Sequence, residues 1–179
     1  MTRGLLKHHL FWGIGLGAAV VACIQVLTWL GLGMSHLTWF LTYVLVVVFA
    51  VLGARSLRQR LGSRPRFLQA VLLIAVMILV SRFIYQTYMF FYINYVDPTW
   101  VDTVAAVWAA QLEKAGTSPE RIASQIDGFR RQWQTSNIFT LGIVSYGVAQ
   151  FILALLAVVV AVVQPWKKRP AAEEMTGSA

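Results

Sequence analysis

The fold of this chain is decided by residues 81–100, which read SRFIYQTYMFFYINYVDPTW. The stretch begins inside a long apolar run and ends at Asp97-Pro98, a start signal for a helix in water. Arg82 lies within the apolar part. In a helix, one arc of about 80° collects five side chains at spacings of three and four residues: Ser81, Tyr85, Tyr88, Tyr92 and Tyr95. The stretch therefore predicts a membrane helix that carries an arginine and leads into water.

The composition of the whole chain points to a membrane protein. Of its 179 residues, 58% are hydrophobic and only 12% are charged, with a mean hydropathy of +0.66. Soluble domains carry about 25% charged residues. A soluble domain of this size cannot bury so much apolar surface, so we expect the surrounding solvent to be a lipid bilayer. The length fits a single domain, residues 1–179.

The net charge of +8 comes from basic residues that flank apolar runs. This placement favours anionic lipid and membrane topology as the explanation, and no nucleic-acid-binding motif accompanies the charge. We therefore expect a lipid environment and no nucleic-acid partner. Cys23 is the only cysteine, which excludes an internal disulfide and a thiol metal site.

Four apolar runs are long enough, or nearly so, to cross a hydrocarbon core of about 30 Å. They cover residues 10–30, 37–54, 67–93 and 138–163. The predicted fold is an all-α integral membrane protein with four transmembrane helices, an extracytoplasmic amphipathic helical hairpin between the third and fourth, and a flexible tail at 170–179.

Two features of the first apolar run have alternative interpretations. Residues 20–23, VVAC, resemble a lipoprotein cleavage site, but the run stays apolar beyond Cys23, so we expect the first helix to be retained. Gly13 and Gly17 belong to a glycine-rich motif that lacks the preceding strand of a phosphate loop. Their spacing instead predicts a surface for close helix approach.

Lysine and arginine residues are distributed unequally over the two sides of the predicted membrane. The N-terminus, the 55–66 loop and the 167–169 cluster hold ten of them, whereas residues 94–136 hold four and residues 31–36 none. The positive-inside rule then places both termini in the cytoplasm and residues 94–136 outside. We expect the bacterial cytoplasmic (inner) membrane as the location.

The outward segment, residues 97–135, predicts two short amphipathic helices. Asp97 or Thr99 can cap the first helix, and Gly116 ends it. The second can start at a Thr117/Glu120 capping box, or with Ser118 as the cap and proline first. Two apolar stripes result: Val101, Val104, Trp108 and Leu112 on the first helix, and Ile122, Ile126, Phe129 and Trp133 on the second.

These stripes can pack on each other, on the outer leaflet, on the protein's own bundle or on a protein partner. The candidate partner surface is aromatic: Trp100, Trp108, Phe129 and Trp133. A homo-oligomer is compatible with such a surface.

The run from Arg82 to Trp100 is followed by a helix ending in Glu-Lys-Ala-Gly and a second helix opening Thr-Ser-Pro-Glu-Arg-Ile. This combination resembles a bacterial family catalogued as domain of unknown function 4199. The resemblance covers most of the chain and is strongest over residues 80–135. It implies a small integral membrane protein with an outward helical insertion before the last span, and it implies no activity or site.

Arg82 is the residue most in need of a partner. An arginine at the centre of a membrane helix costs about 2.5–3.5 kcal/mol on insertion scales. No acidic residue lies in any predicted span. Polar side chains in the outer halves of the spans can surround the guanidinium, and the candidate polar network or anion site is Arg82, Tyr85, Gln86, Tyr146 and Gln150, with Gln25, Thr28, Thr42 and Tyr43 nearby. The arginine can hold the helices in register, bind an anion or meet an acidic partner protein.

No catalytic, cofactor or metal motif is found in the sequence, and His8, His9 and His36 show no metal-ligand spacing. An enzyme is therefore not expected. The first hypothesis is a non-catalytic interaction or assembly factor that uses residues 97–135. The alternative is a lipid- or small-anion-binding or transport component that uses Arg82 and the face of Tyr85, Tyr88 and Tyr92.

Overall fold

The computed structural model describes residues 3–30, 36–62, 65–134 and 137–163. Within these ranges the chain is helical and contains no strand, which confirms the all-α prediction for this part of the protein. The helices are α1 (Arg3–Trp29), α2 (His36–Leu61), α3 (Phe67–Phe91), α4 (Trp100–Lys114), α5 (Pro119–Gln132) and α6 (Thr140–Val163). A π-helical turn, Tyr92–Val96, extends α3. The predicted tail at 170–179 and residues 31–35 of the predicted first turn lie outside the described residues.

Three of these helices are long and apolar enough to cross a membrane, namely Gly4–Trp29, Leu37–Leu61 and Phe67–Val96. The described part of α6 adds a shorter apolar segment, Gly147–Val160. The helices extend beyond the apolar runs that the sequence shows. Lysine and arginine are good helix formers, so a helix can continue past the hydrophobic stretch. Apolar content therefore locates the membrane segment better than it locates the helix ends.

The four long helices form a closed ring in the order α1, α3, α6, α2. α1 and α3 run parallel, because a Cβ atom on Gly13 would meet Met77 and Val80 whereas one on Gly17 would meet Ser81 and Ile84. The two helices are so close that a Cβ atom on Gly13 would lie 2.8 Å from Val80 Cβ. The structure thus places both glycines of the predicted small-residue surface against one neighbouring helix.

The centre of the ring is filled by aliphatic side chains from all four helices. Fully buried members include Leu16, Val46, Leu73, Ile74 and Ala154. Phenylalanines and leucines such as Phe11, Leu79 and Phe83 point outward and are exposed. Apolar residues on the outside of an apolar bundle are the arrangement expected for helices whose solvent is lipid.

The connection from α3 to α4 is short and held by local hydrogen bonds. The π-helical turn ends where the backbone N–H of Asp97 donates to the carbonyl of Tyr92, at 2.9 Å. Asp97 Oδ1 then accepts hydrogen bonds from the backbone N–H and the hydroxyl of Thr99, at 3.1 and 2.8 Å. Asp97 therefore stabilises the turn that precedes α4, and α4 begins at Trp100 with Thr99 as the flanking residue.

α4 and α5 pack against each other through aromatic side chains. Trp100 contacts Trp133, with ring centroids 5.2 Å apart, and Trp108 contacts Phe129 at 5.7 Å. Gly116 lies between the helices with a φ of +73°, a conformation that favours glycine. Of the two predicted starts for α5, the structure adopts the one with Ser118 before a first-turn proline.

Candidate functional site

Arg82 lies inside the helix ring, at the contact between α3 and α6. Its side chain is only 5% exposed, and its Nε–H donates to Gln150 Oε1 at 2.9 Å. The guanidinium carbon also lies 5.7 Å from the ring centroid of Tyr85, within the range of a cation–π interaction. The structure therefore brings together three of the residues that the sequence proposed for a polar network: Arg82, Tyr85 and Gln150.

Gln86 follows Arg82 by one helical turn on the buried stripe of α3. Ile78, Arg82, Gln86 and Met89 lie on this stripe, so the Gln86 side chain faces the same interior. Its side chain is 0% exposed, and neither its amide nitrogen nor its amide oxygen has a hydrogen-bond partner among the described residues. Leaving a buried polar atom without a partner costs about 1–3 kcal/mol. Gln86 is thus a buried donor and acceptor beside a buried cation.

A second polar contact lies further along the same helix. The Tyr88 hydroxyl donates to Gln25 Oε1 on α1, which ties the C-terminal parts of α1 and α3 together. Thr28 and Thr42 donate instead to carbonyls of their own helices, at 2.8 and 2.9 Å. In these two bonds the threonine hydroxyls donate within their own helices and not toward Arg82.

Tyr146 was predicted to belong to the same network. Its side chain lies outside the part of α6 whose side chains the structure describes. Gln150, one turn later, is 3% exposed and takes part through its hydrogen bond to Arg82. Among the α6 side chains that the structure describes, Gln150 contributes to the site.

Three of the four aromatic residues of the candidate partner surface, Trp100, Phe129 and Trp133, belong to one cluster, and Trp108 contacts Phe129 beside it. Trp133 is 6% exposed and packs with the buried residues Met89 and Ile138. The partly buried members of this aromatic cluster are Tyr85, Tyr88, Phe90, Tyr92, Ile93, Trp100, Val101, Phe129 and Phe139. Much of the predicted partner surface thus packs on the protein itself. The cluster shares Tyr85 with the surroundings of Arg82, so α4 and α5 pack near the part of α3 that carries the polar site.

The structure also contains a buried histidine pair, which directly precedes the apolar run predicted at residues 10–30. His8 and His9 are 3% and 2% exposed. Trp12 Nε1–H donates to His8 Nε2 at 3.1 Å, and Ser56 Oγ lies 3.0 Å from the same nitrogen. Since an indole N–H can only donate, His8 Nε2 carries no proton. The spacing of His8 and Trp12 by one helical turn was the signal in the sequence that could have revealed this contact.

The ends of α1 and α2 are held together by this histidine contact, because Ser56 lies on α2. Within the described ranges, no group of three or more histidine, cysteine, aspartate or glutamate side chains is arranged to hold a metal ion. The histidine contact joins α1 and α2, and it is separate from the arginine site between α3 and α6.

A comparison with protein families identifies the family to which the chain belongs. Residues 12–163 match the model of the family described as "Protein of unknown function (DUF4199)". This match includes α3, the polar site and the α4–α5 pair, in agreement with the resemblance seen in the sequence. No curated protein and no solved structure gave a significant match. Because the match covers most of its length, the chain belongs to the DUF4199 family of proteins of unknown function.

Proposed function

We propose that this protein is a non-catalytic, four-span membrane protein that binds an anionic group beside Arg82. The observation that carries the proposal is the burial of a permanent positive charge, Arg82, at a depth where the sequence has no carboxylate. Gln150 and Tyr85 supply an amide oxygen and an aromatic ring to the guanidinium. Both interactions are favourable, but neither carries a negative charge.

The sequence offers no carboxylate at the depth of Arg82. No aspartate or glutamate occurs at residues 1–96 or 128–172, and the next acid along the chain after Arg82 is Asp97. A helix rise of 1.5 Å per residue puts Asp97 roughly 22 Å further along the axis. A buried charge is costly unless it is paired with an opposite charge. An anion taken up from outside the chain would supply this pairing.

The α4–α5 pair supports a binding function because it packs against the part of α3 that follows Arg82. Its aromatic cluster contacts the tyrosines that follow Arg82 on α3. The apolar walls keep the local dielectric constant low, so an interaction between Arg82 and an anion is stronger there than in water. This arrangement suits retention of a bound group, and α6 completes the ring as the proposed fourth span.

A second candidate function is an interaction or assembly factor that uses residues 97–135. The observation in its favour is an exposed side of α4, where Val107 is 40% exposed beside exposed Ala106 and Ala110. The aromatic residues first considered for this role contribute mainly to internal packing. We therefore place the interaction function after anion binding.

The expected result for Arg82→Leu is loss of a bound anion without loss of folding. Apolar replacement of a buried charge is often neutral or stabilising, so the variant should melt close to the wild type. Native mass spectrometry of protein released from bacterial membranes in mild detergent would detect the bound anion. Arg121→Leu on the exposed side of α5 is the matched control and should keep it.

Retention of the anion by Arg82→Leu would contradict the proposed site. Arg82→Lys should restore binding only in part, because lysine lacks the planar, two-pronged donor geometry of arginine. Recovery of a protein partner in the same preparation, unaffected by Arg82→Leu, would favour the second candidate function.

We also propose that both termini are cytoplasmic and that α4 and α5 lie outside the membrane on the other side. The basic residues favour this orientation, and the parallel packing of α1 and α3 is consistent with it, because it puts Arg3 and Phe67 at the same end of the ring. In a Cys23→Ser background, Ser118→Cys should react with an impermeant thiol reagent added from outside. Reaction only after the reagent reaches the cytoplasm would invert the topology.

A further inference from the structure

The protein groups around the proposed anion position indicate which kind of anion can bind there. Arg82 is a pure donor, since a guanidinium has five N–H groups and no acceptor. Gln86 is different, because its amide offers N–H donors on one atom and a carbonyl acceptor on the other. Both Gln86 atoms are buried and without a partner among the described residues.

Arg82 and Gln86 are placed to contact one ligand. They are four residues apart on α3, so their Cβ atoms are about 5–6 Å apart on one helix face. A ligand between them needs anionic oxygen for Arg82 and for the Gln86 amide N–H. It also needs an O–H or N–H donor for Gln86 Oε1, because that oxygen is otherwise left buried and unpaired.

We infer that the group bound beside Arg82 and Gln86 is an oxyanion that carries a hydroxyl group, such as hydrogen phosphate or the head group of a hydroxyl-bearing phospholipid. The inference rests on the proposed anion-binding function and adds to it the requirement for a donor. Free phosphate and the lipid head group share this chemistry: charged oxygens that accept from Arg82, and a hydroxyl that donates to Gln86.

Simple anions lack the hydroxyl group that would donate to Gln86 Oε1. Chloride and nitrate have no proton to donate, and sulfate has none at neutral pH. Sulfate is nearly the same size and shape as phosphate, so the two differ mainly in the hydroxyl. Binding sulfate would leave Gln86 Oε1 buried without a donor. Each 1.4 kcal/mol of free energy that this unpaired oxygen costs weakens the affinity about tenfold.

The test compares two matched pairs of probes on the full-length protein. The first pair is phosphate and sulfate at pH 7, with binding followed by the melting temperature in detergent. The second pair is phosphatidylglycerol and phosphatidylmethanol, two anionic lipids that differ in the hydroxyls of the head group, with binding followed by native mass spectrometry. The hydroxyl-bearing member of at least one pair should bind about tenfold more tightly. Selectivity in the first pair identifies free phosphate as the source, and selectivity in the second identifies lipid.

Gln86→Met is the variant that separates this inference from the proposed function. Methionine has a similar length and no amide, so the affinity for the hydroxyl-bearing probes should fall and the selectivity within each pair should drop until both members bind equally. Equal binding within both pairs by the wild-type protein would overturn the inference and leave anion binding intact. Selectivity that survives in Gln86→Met would overturn it as well. Failure of all four probes to bind would overturn the proposed function and this inference together.

Discussion

Gly17→Leu is expected to prevent α1 from packing on α3 and to leave little folded protein. A Cβ atom at position 17 would lie 2.9 Å from Ile84 Cδ1, 3.0 Å from Ile84 Cβ and 3.2 Å from Ser81 Cα. The backbone contact with Ser81 cannot be relieved by a rotamer change, so the helices must separate. Overpacking of this kind costs about 1–3 kcal/mol and sometimes more. Size-exclusion chromatography in detergent and the melting temperature would measure the effect.

The matched control is Gly128→Leu on α5, where a Cβ atom would meet nothing within 4 Å. Glycine in the middle of a helix is unfavourable by roughly 0.5–1 kcal/mol relative to alanine, so this substitution should be neutral or slightly stabilising. Equal melting temperatures for the two leucine variants would show that α1 and α3 do not depend on the close approach at Gly17.

Trp133→Ala is expected to loosen the α4–α5 pair from the end of the ring. Trp133 is 6% exposed, and its ring contacts Trp100 and Phe129 within the aromatic cluster. Truncating a buried tryptophan costs about 3–5 kcal/mol. Hydrogen exchange should therefore increase over residues 97–134, whereas the protection of α1 and of the N-terminal half of α3 should change little.

Two further variants make this prediction specific. Trp29→Ala removes a tryptophan that is 77% exposed and should leave the exchange pattern as in the wild type. Trp133→Phe keeps most of the aromatic surface and removes an indole N–H that is buried without a partner among the described residues. It should cost much less than the alanine variant. An alanine variant with wild-type exchange would show that the aromatic cluster does not hold the pair in place.

Much of the architecture could be predicted because apolar length and periodicity determine it. The small-residue spacing of Gly13 and Gly17 was enough to predict a close helix contact, although not its partner. The glycine at position 116 and the Ser118-Pro119 pair located the connection between α4 and α5 because each has a narrow conformational preference. Such signals are local, so they can be read without knowing the tertiary structure.

The polar site could be predicted only in part. Arg82 and Gln150 were named together because both are polar residues in apolar helices at similar depth, and the structure joins them. The isolation of Gln86 could not be foreseen, because it depends on which side chains fill the space around it. The burial of His8 and His9 was missed since charge and hydropathy near the chain end gave no sign of a partner on α2.

The direction in which the aromatic stripes face was also beyond sequence reasoning. Periodicity shows that Phe129 and Trp133 share one side of a helix, but it does not show what covers that side. The same apolar stripe is expected whether a partner protein, the lipid surface or the chain's own bundle covers it. In the structure, Phe129 and Trp133 pack in one cluster with Met89 and Tyr88 of α3.

The hydrogen bond between Arg82 and Gln150 has a consequence for the order of biosynthesis. The two residues are 68 positions apart, and at a translation rate of about 5–20 residues per second the glutamine follows the arginine by roughly 3–14 s. During that interval α1 and α2 are already available, but the amide acceptor on α6 has not yet been made. A nascent chain that has reached Arg82 must therefore shelter a charge within an incomplete bundle. The helix that supplies the Gln150 acceptor, α6, is the last of the described helices to leave the ribosome.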